Sequence, residues 1–376
     1  METVVVTGGC GVLGQNIVKK LCENPLIDEV RVIDKRTTIT TKEIHPKLRY
    51  IQLDLSVNDG DLDRSLFGVT SVIHAAKADI PLTYQSKEKL AEMWSDNVEA
   101  TERLVERMIA RKIRRLIYIG DAYSALPVDD NLGLSEDIHR GIPSSFLMGE
   151  WGESRTRAEL LARKAAEKDN QLDAIFLRPT WIHSEKPSSF WMELRRLAEN
   201  GDLPYTPGER RGLHQFIYAD NLAKTIENCV FFLKNDPKKY SNEIVYLMDH
   251  TGVQPFMQIV RERVGPSSLS TPITFPIAYL TNSLRHFTYF CGKKHDGQLH
   301  FHTWRTLFEK VIGFSEKKAR ILLEYKPQIS SEESFRRSLS MFKQSEQKSR
   351  EFVDEYEIEI NETTKKSSSI RRAQQA

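Results

Sequence analysis

Several features that mark particular classes of protein are scarce in this sequence of 376 residues. Only four cysteines occur, and none lies in a CxxC or Cys/His spacing. They are therefore expected to be reduced thiols rather than disulfides or zinc ligands, and no metal site is predicted. The cysteines are Cys10, Cys22, Cys229 and Cys291. A formal net charge of only +2 argues against a nucleic-acid-binding protein, because such proteins usually carry a strong basic excess.

Long apolar runs are also lacking. No stretch reaches the roughly eighteen apolar residues that an ordinary transmembrane helix needs. The opening residues, METVVVTGG, lack the basic region and apolar core of a secretory signal. We therefore expect a cytoplasmic protein.

Short β-branched runs alternate with amphipathic stretches through the first half of the chain. Stretches such as LGQNIVKKLCEN and SRTRAELLARKAAEK have apolar positions at the three- and four-residue spacing of helices. The runs predicted as strands are TVVVTG, EVRVID, LRYIQLD, TSVIHAA, RRLIYIG and DAIFLRP. Strands that are apolar on both faces and alternate with helices predict an α/β fold, a doubly wound parallel Rossmann sheet.

The pattern changes along the chain and predicts three regions. Residues 1–180 are predicted to form a dinucleotide-binding Rossmann domain. Residues 181–345 read as a smaller, mixed α/β lobe that holds substrate and is partly interleaved with the first domain. Residues 346–376 are polar, with few large apolar side chains, which is typical of a disordered tail.

The turn after the first predicted strand carries the strongest local signal. In VVVTGGCGVLGQNIV, Gly8 and Gly11 allow a tight turn and a close backbone approach to a pyrophosphate, and Gly14 allows close packing of helix on strand. The N–H groups at the start of the helix would then face the phosphates. The predicted cofactor contacts of this turn are Thr7, Gly8, Gly11, Val12, Leu13 and Gly14.

Asp34 ends the second strand, about 20 residues after the last glycine, where an acid accepts hydrogen bonds from ribose hydroxyls. It would repel a 2′-phosphate and so favours NAD over NADP. Lys35 and Arg36 weaken this preference, because cations there could hold the extra phosphate. The alternative is an ordinary aspartate at a strand end.

Other strand ends supply further predicted cofactor contacts. Lys77 is placed either to contact the pyrophosphate or to be a solvated surface lysine. An acid after the third strand could meet the adenine amino group, and small residues after the fourth would let the backbone pass close to the cofactor. These predicted contacts are Asp54, Leu55, Ala75, Ala76, Lys77 and Pro179.

Together, TGGxGxxG with a strand-end acid, HAA, NVEATERLVE and LRPTWI resemble the extended short-chain dehydrogenases/reductases. HQFIYADNLAKT, EIVYLMDHTG, TFPIAYL and the closing GFSEKKARILLEYKPQISSEESF resemble the 3β-hydroxysteroid dehydrogenase/isomerase group. The resemblance covers roughly residues 2 to 345. It implies NAD-linked oxidation of a 3β-hydroxyl on a steroid or sterol, often with association to internal membranes.

The resemblance also implies a Tyr-x-x-x-Lys pair on a helix and a serine or threonine after the fifth strand. At those positions the sequence has Trp151, Arg155 and Asp121. An indole cannot serve as a base near neutral pH. Arg155 keeps the positive charge and could hold the cofactor ribose.

We therefore expect Asp121 and Arg155 to form an ion pair across the former active site. Asp121 is also a candidate base if burial raises its pKa, whereas Tyr123 and His74 are expected to be structural. Two functions follow as alternatives. One is an oxidoreductase with an altered proton route. The other is a catalytically inactive member that senses cofactor or steroid, or binds a partner.

The most apolar stretch of the second half, residues 270–292, is interrupted by polar side chains and is too polar to span a bilayer. It is expected either to lie on a membrane surface, such as the cytosolic face of the endoplasmic reticulum, or to cover the substrate pocket. Trp181, Phe190 and Trp191 are expected to line an apolar pocket or to be ordinary core. A homodimer is compatible with the resemblance.

Overall fold

The computed structural model describes residues 2–36, 45–57, 60–137, 142–168, 171–206, 211–249, 252–264 and 272–339. The predicted tail, residues 346–376, lies outside the described residues.

The described strands and helices follow the alternation predicted from the sequence. The strands are β1 Thr3–Thr7, β2 Glu29–Asp34, β3 Leu48–Gln52, β4 Ser71–His74, β5 Arg115–Ile119, β6 Asn131–Leu134, β7 Asp173–Pro179, β8 Trp181–His183, β9 Leu213–His214, β10 Phe216–Tyr218, β11 Glu243–Leu247, β12 Gln254–Pro255 and β13 Ile312–Phe314. The helices are α1 Val12–Glu23, α2 Asp61–Ser65, α3 Lys87–Trp94, α4 Ala100–Ala110, α5 Gly149–Glu167, α6 Ser189–Glu199, α7 Ala219–Asn235, α8 Pro237–Tyr240, α9 Phe256–Val264, α10 Phe275–Phe290, α11 Phe301–Phe308 and α12 Lys317–Leu322.

Seven strands form one sheet in the order β11-β7-β5-β4-β1-β2-β3. Every neighbouring pair in this sheet is parallel. The order reverses direction at β1, as in a dinucleotide-binding doubly wound sheet, and leaves a crevice at the carboxyl ends of the strands there. The predicted fold class is confirmed.

Helices cover both faces of this sheet, which is why its strands are apolar on both sides. One core cluster joins α1 and α7 to one face through side chains such as Ile17, Leu21 and Ile226. The other face packs on α4 and α5 through Leu104, Met108 and others. The sheet is therefore buried on both sides.

The second half of the chain is divided between the main sheet and a smaller lobe. Strand β11 and helix α7 lie beyond residue 180 but complete the Rossmann layers. The lobe contains short strand pairs, β8 with β10, β9 with β12 and β6 with β13, together with α6, α9, α10 and α11. Strand β6 comes from the first half, so the chain crosses between the two parts in both directions.

A buried ion pair joins helix α5 to the sheet. Arg178 Nη2 lies 2.5 Å from Glu159 Oε1, and both side chains are almost fully buried. Arg178 Nε also donates to Glu159 Oε2 at 3.0 Å, and Nη1 donates to the Tyr246 hydroxyl at 3.4 Å. A Cβ at Gly120 would lie 2.6 Å from Glu159 Oε2, so the chain beside this pair has no room for a side chain.

Removal of the Glu159 carboxylate should therefore be costly. Glu159→Ala is expected to lower the free energy of unfolding by about 3–5 kcal/mol, because a buried guanidinium loses its charge partner. Urea unfolding measures this. The control is Glu153→Ala on the same helix, whose exposed pair with Arg157 should be worth less than about 1 kcal/mol. Equal losses in the two variants would contradict the prediction.

Candidate functional site

A cleft of about 370 Å³ opens at the carboxyl ends of the central strands, at the point where the strand order reverses. It brings together residues from the ends of β1, β2, β3, β4 and β5, from β8 and from the segment after β8. The predicted site residues that line it are Gly8, Gly11, Val12, Leu13, Gly14, Asp34, Lys35, Asp54, Leu55, Ala75, Ala76, Lys77 and Asp121. Thr7, Trp151, Arg155 and Pro179 are not among its lining residues.

The glycine turn is too tight for side chains. Gly8 has a φ of +69°, and a Cβ there would lie 2.7 Å from the Ala76 backbone. A Cβ on Gly14 would lie 2.3 Å from the Gly8 carbonyl oxygen. Gly11 precedes α1 without a side-chain cap, and the first residues of this helix line the cleft, which leaves their N–H groups available to a ligand there. This arrangement fits a phosphate group of a dinucleotide.

The Asp34 carboxylate is held by backbone donors at the end of β2. Its Oδ2 accepts from the Cys10 N–H at 3.0 Å, and its Oδ1 accepts from the Arg36 N–H at 2.9 Å. Because each carboxylate oxygen has a second lone pair, both can still accept a hydrogen bond from a ligand hydroxyl. The contact with Cys10 also links the acid to the glycine turn.

Hydrogen bonds hold the side chains of Thr7, at the end of β1, and Asp54, after β3, in place. Thr7 Oγ1 is hydrogen-bonded to His74 Nδ1 at 2.7 Å and accepts from the Ala76 N–H at 3.3 Å. Burial lowers the pKa of His74 to about 3, so this ring is neutral at pH 7. Asp54 accepts from the Ser56 N–H at 2.8 Å. His74 is thus a structural residue that fixes the ends of β1 and β4.

The expected ion pair between Asp121 and Arg155 is wrong. Among the described residues, the cation close to Asp121 is Lys77, whose Nζ lies 3.9 Å from Asp121 Oδ2. Asp121 Oδ1 accepts from the Tyr123 N–H at 2.9 Å. Burial raises the pKa of Asp121, an effect that the charge of Lys77 and, to a smaller extent, that of Arg155 oppose, and burial lowers the pKa of Lys77.

Arg155 turns instead toward the backbone of β5. Its Nη2 donates to the Ile119 carbonyl at 2.6 Å, and its guanidinium lies 5.7 Å from the centre of the Tyr118 ring. Its Nε and Nη1 have no hydrogen-bond partner among the described residues, although the side chain is buried. Its predicted contact with a cofactor ribose stays a prediction.

The Trp151 side chain packs beneath Lys77. Its indole N–H donates to the Ala78 carbonyl at 3.1 Å, and Lys77 Nζ lies 5.5 Å from the ring centre. The ring is 1% exposed. Trp151 therefore packs as a core side chain beneath the cleft and has no titratable group to offer it.

The comparisons with known proteins agree with this geometry. The model of the 3-beta hydroxysteroid dehydrogenase/isomerase family matches residues 5–273. The chain belongs to this family. A 3 beta-hydroxysteroid dehydrogenase/Delta 5-->4-isomerase of vaccinia virus (strain Ankara) is 28% identical over 235 residues. That alignment covers 59% of this chain and 64% of the viral protein, so the chain matches less than two thirds of its relative's length.

Solved structures of epimerases share the fold of this chain. A UDP-glucuronic acid 4-epimerase from Bacillus cereus, in complex with UDP-glucuronic acid and NAD, superimposes with a TM-score of 0.67 at 17% identity. The match covers 91% of this chain and 99% of the epimerase. An epimerase from Methanothermobacter thermautotrophicus has a TM-score of 0.67 at 16% identity and covers 93% of this chain and 94% of its own.

In this chain, one wall of the cleft is aromatic. Trp181, Phe190 and Trp191 all line it, and the Trp181 and Phe190 rings stack with centres 5.1 Å apart. Trp181 and Trp191 also belong to the largest core cluster, so both expectations for these residues hold. Pro179 lies just before this wall, and its carbonyl accepts from the Ala122 N–H at 3.1 Å.

Sequence reasoning missed two acids at the cleft. Asp79 and Asp96 line it from the segment after β4, opposite the end of β2. Asp96 lies in a π-helical turn, Ser95–Glu99, between α3 and α4. Such turns are rare and often occur at functional sites, but an amphipathic pattern does not distinguish them from α-helix.

Residues 270–292, expected either to lie on a membrane surface or to cover the substrate pocket, contain helix α10, and none of their described residues lines the cleft. Within the described part of the chain, no helix is long and apolar enough to cross a membrane. The same part contains no group of three or more acidic, histidine or cysteine side chains that could hold a metal ion.

The pairing of Lys77 with Asp121 gives a pH-dependent prediction. Lys77→Met should lower the free energy of unfolding by about 1–3 kcal/mol near pH 7.5, because a buried carboxylate loses its closest cation. Burial already raises the pKa of Asp121, and loss of Lys77 raises it further. Asp121 then takes up a proton as the pH falls, so the loss should be smaller near pH 5.

Urea unfolding of wild type and Lys77→Met at the two pH values measures this difference. The double variant Lys77→Met with Asp121→Asn is the control and should show no extra pH dependence. A Lys77→Met loss that is the same at both pH values would contradict the pairing.

Proposed function

We propose that this chain binds NAD(H) in the cleft and belongs to the NAD-linked oxidoreductases that act on the 3β-hydroxyl of a steroid or sterol. The observation that supports this most directly is the convergence of the glycine turn, Asp34 and an aromatic wall on one cleft. The turn and the acid suit a dinucleotide, and the aromatic wall suits a flat apolar ligand.

The residues proposed to hold the cofactor fall into two groups. The N–H groups at the start of α1 would bind the pyrophosphate, and Asp34 would accept hydrogen bonds from the adenosine ribose. Bound NAD would supply the hydride acceptor. Asp34 favours NAD over NADP, because a carboxylate at this position repels a 2′-phosphate.

A proton acceptor other than tyrosine is needed for oxidation in this cleft. None of the described residues that line it is a tyrosine. Asp121 is the proposed base, because it lines the cleft and burial raises its pKa toward the range that suits proton transfer. Lys77, 3.9 Å away, would hold the carboxylate in place.

The substituted catalytic positions favour a second candidate function. Trp151 is a core side chain and Arg155 turns to the β5 backbone, so neither reproduces the tyrosine and lysine that the family resemblance implies. A protein that binds NAD(H) and a steroid without turnover, as a sensor or a binding partner, would tolerate both changes.

Binding and turnover assays separate these candidates. NADH fluorescence titration is expected to give saturable binding, and a panel of 3β-hydroxysteroids with NAD is expected to yield NADH. Asp121→Asn should keep NADH binding and reduce turnover by about 10²-fold or more, because the base is lost. Asp34→Ala is the control for the cofactor site and should weaken NADH binding.

Each outcome has a distinct meaning. Saturable binding with no turnover on any steroid would support the second candidate function. Turnover that survives Asp121→Asn would contradict Asp121 as the base. Wild-type protein that binds no NADH would contradict the cofactor proposal itself.

The surface of α10 supports a proposed peripheral contact with a membrane, such as the cytosolic face of the endoplasmic reticulum. Five large apolar side chains on it are each more than half exposed, namely Ile277, Leu280, Leu284, Phe287 and Phe290. Lys293 and Lys294 follow, and both are exposed, which suits an anionic surface. A homodimer also stays a prediction.

Co-sedimentation with anionic lipid vesicles tests this contact. Leu280→Glu with Phe287→Glu should reduce the bound fraction severalfold, because charged side chains resist insertion between lipids. Ile321→Glu, at an apolar side chain that is 69% exposed on α12, is the control and should leave binding unchanged. Equal loss in both variants would contradict a specific role for α10.

A further inference from the structure

The two cations that follow Asp34 are already paired with acids across the cleft. Lys35 Nζ lies 2.5 Å from Asp96 Oδ2 and 3.5 Å from Glu92 Oε1. Arg36 Nη2 lies 3.5 Å from Asp79 Oδ2. These pairs connect the end of β2 with the segment after β4, on the side of the cleft where Asp34 lies.

The two pairs differ in strength. Both side chains of the Arg36–Asp79 pair are more than half exposed, so solvent and salt screen it strongly. Asp96 is only 17% exposed and lies at hydrogen-bond distance from Lys35. The pair of Lys35 with Asp96 is therefore the less screened and the stronger of the two.

Asp96 is held in place by its neighbour in the π-helical turn. Asn97 Oδ1 accepts from the Ala78 N–H at 2.9 Å, and Asn97 Nδ2 donates to Ser154 Oγ at 2.9 Å. Asn97 is fully buried. The turn is thus fixed to the end of β4 and to helix α5, and Asp96 faces Lys35 from a rigid support.

We propose that Asp96 determines the preference for NAD over NADP by retaining Lys35 in an ion pair across the cleft. This inference rests on the proposed binding of NAD(H) in the same cleft. Asp96 is a positioning residue, because it acts on the cofactor through Lys35.

The reason is electrostatic. The 2′-phosphate of NADP carries nearly two negative charges at pH 7 and needs a nearby cation. For Lys35 to serve, it would have to leave Asp96, and an unpaired carboxylate would then remain beside the phosphate together with Asp34. The adenosine ribose of NAD adds no charge there and disturbs neither acid.

Fluorescence titration with NADH and NADPH tests the proposal as the ratio of the two dissociation constants. Wild type should prefer NADH. Asp96→Asn should reduce this preference about tenfold, by strengthening NADPH binding, because Lys35 is freed and one negative charge is gone. Asp96→Ser should do the same and serves if Asp96→Asn fails to fold by circular dichroism.

Two further variants show whether the effect passes through Lys35. Glu92→Gln is the matched control, because it removes the other carboxylate near the same ammonium, one whose side chain is 69% exposed, and it should change the ratio less than twofold. The double variant Lys35→Met with Asp96→Asn should lose the gain in NADPH binding, as a double-mutant cycle requires for coupled residues.

An unchanged ratio in folded Asp96→Asn and Asp96→Ser, or a gain that persists without Lys35, would overturn the role of Asp96. An equal effect of Glu92→Gln would overturn it as well. Wild-type protein that binds neither dinucleotide would overturn the proposed function instead, so the two failures are distinguishable.

Discussion

The turn after β1 has room for a backbone but not for a side chain. The relative positions of β1, β4, α1 and Asp34, which shape the cleft, depend on this close approach. A Cβ on Gly8 would lie 2.7 Å from the Ala76 backbone, and one on Gly14 would lie 2.3 Å from the Gly8 carbonyl oxygen, so the ends of β1 and β4 and the start of α1 approach too closely for side chains. Asp34 is tied to the same turn through the Cys10 N–H. Any larger residue at either glycine would move the N–H groups at the start of α1 away from the acid.

The substituted positions Trp151 and Arg155 do not disturb the glycine turn, because their side chains hydrogen-bond elsewhere. Trp151 donates a hydrogen bond to the Ala78 carbonyl, and Arg155 donates one to the Ile119 carbonyl of β5. Neither of these hydrogen bonds involves the glycine turn. Asp121 enters the cleft where the resemblance implies a hydroxyl, and Lys77 partly offsets the cost of burying its charge.

Much of this could be predicted from the sequence, because it depends on contacts between residues close in the chain. The six predicted strands, the glycine turn and the acid about 20 residues after it follow from periodicity and local geometry. They led to the parallel sheet and to twelve of the predicted residues that line the cleft, whereas the thirteenth, Asp121, follows from the family resemblance.

Pairings between distant segments could not be predicted in this way. Asp121 was expected to pair with Arg155, but the Arg155 guanidinium reaches the Ile119 carbonyl, and Lys77 from the end of β4 is the closer cation. The pairing of Lys35 with Asp96 depends on a π-helical turn, which has no distinct hydrophobic period. The partners of Asp121 and Lys35 are both set by the directions in which side chains from distant segments point in the folded chain.

We propose that the dinucleotide site is intact although the catalytic positions are substituted. A crystal structure of the protein grown with NAD tests it most directly. We expect density for the pyrophosphate at the start of α1 and a ribose hydroxyl within hydrogen-bond reach of Asp34. Well-ordered crystals with no dinucleotide in this cleft at millimolar NAD, or with the adenosine away from Asp34, would contradict it.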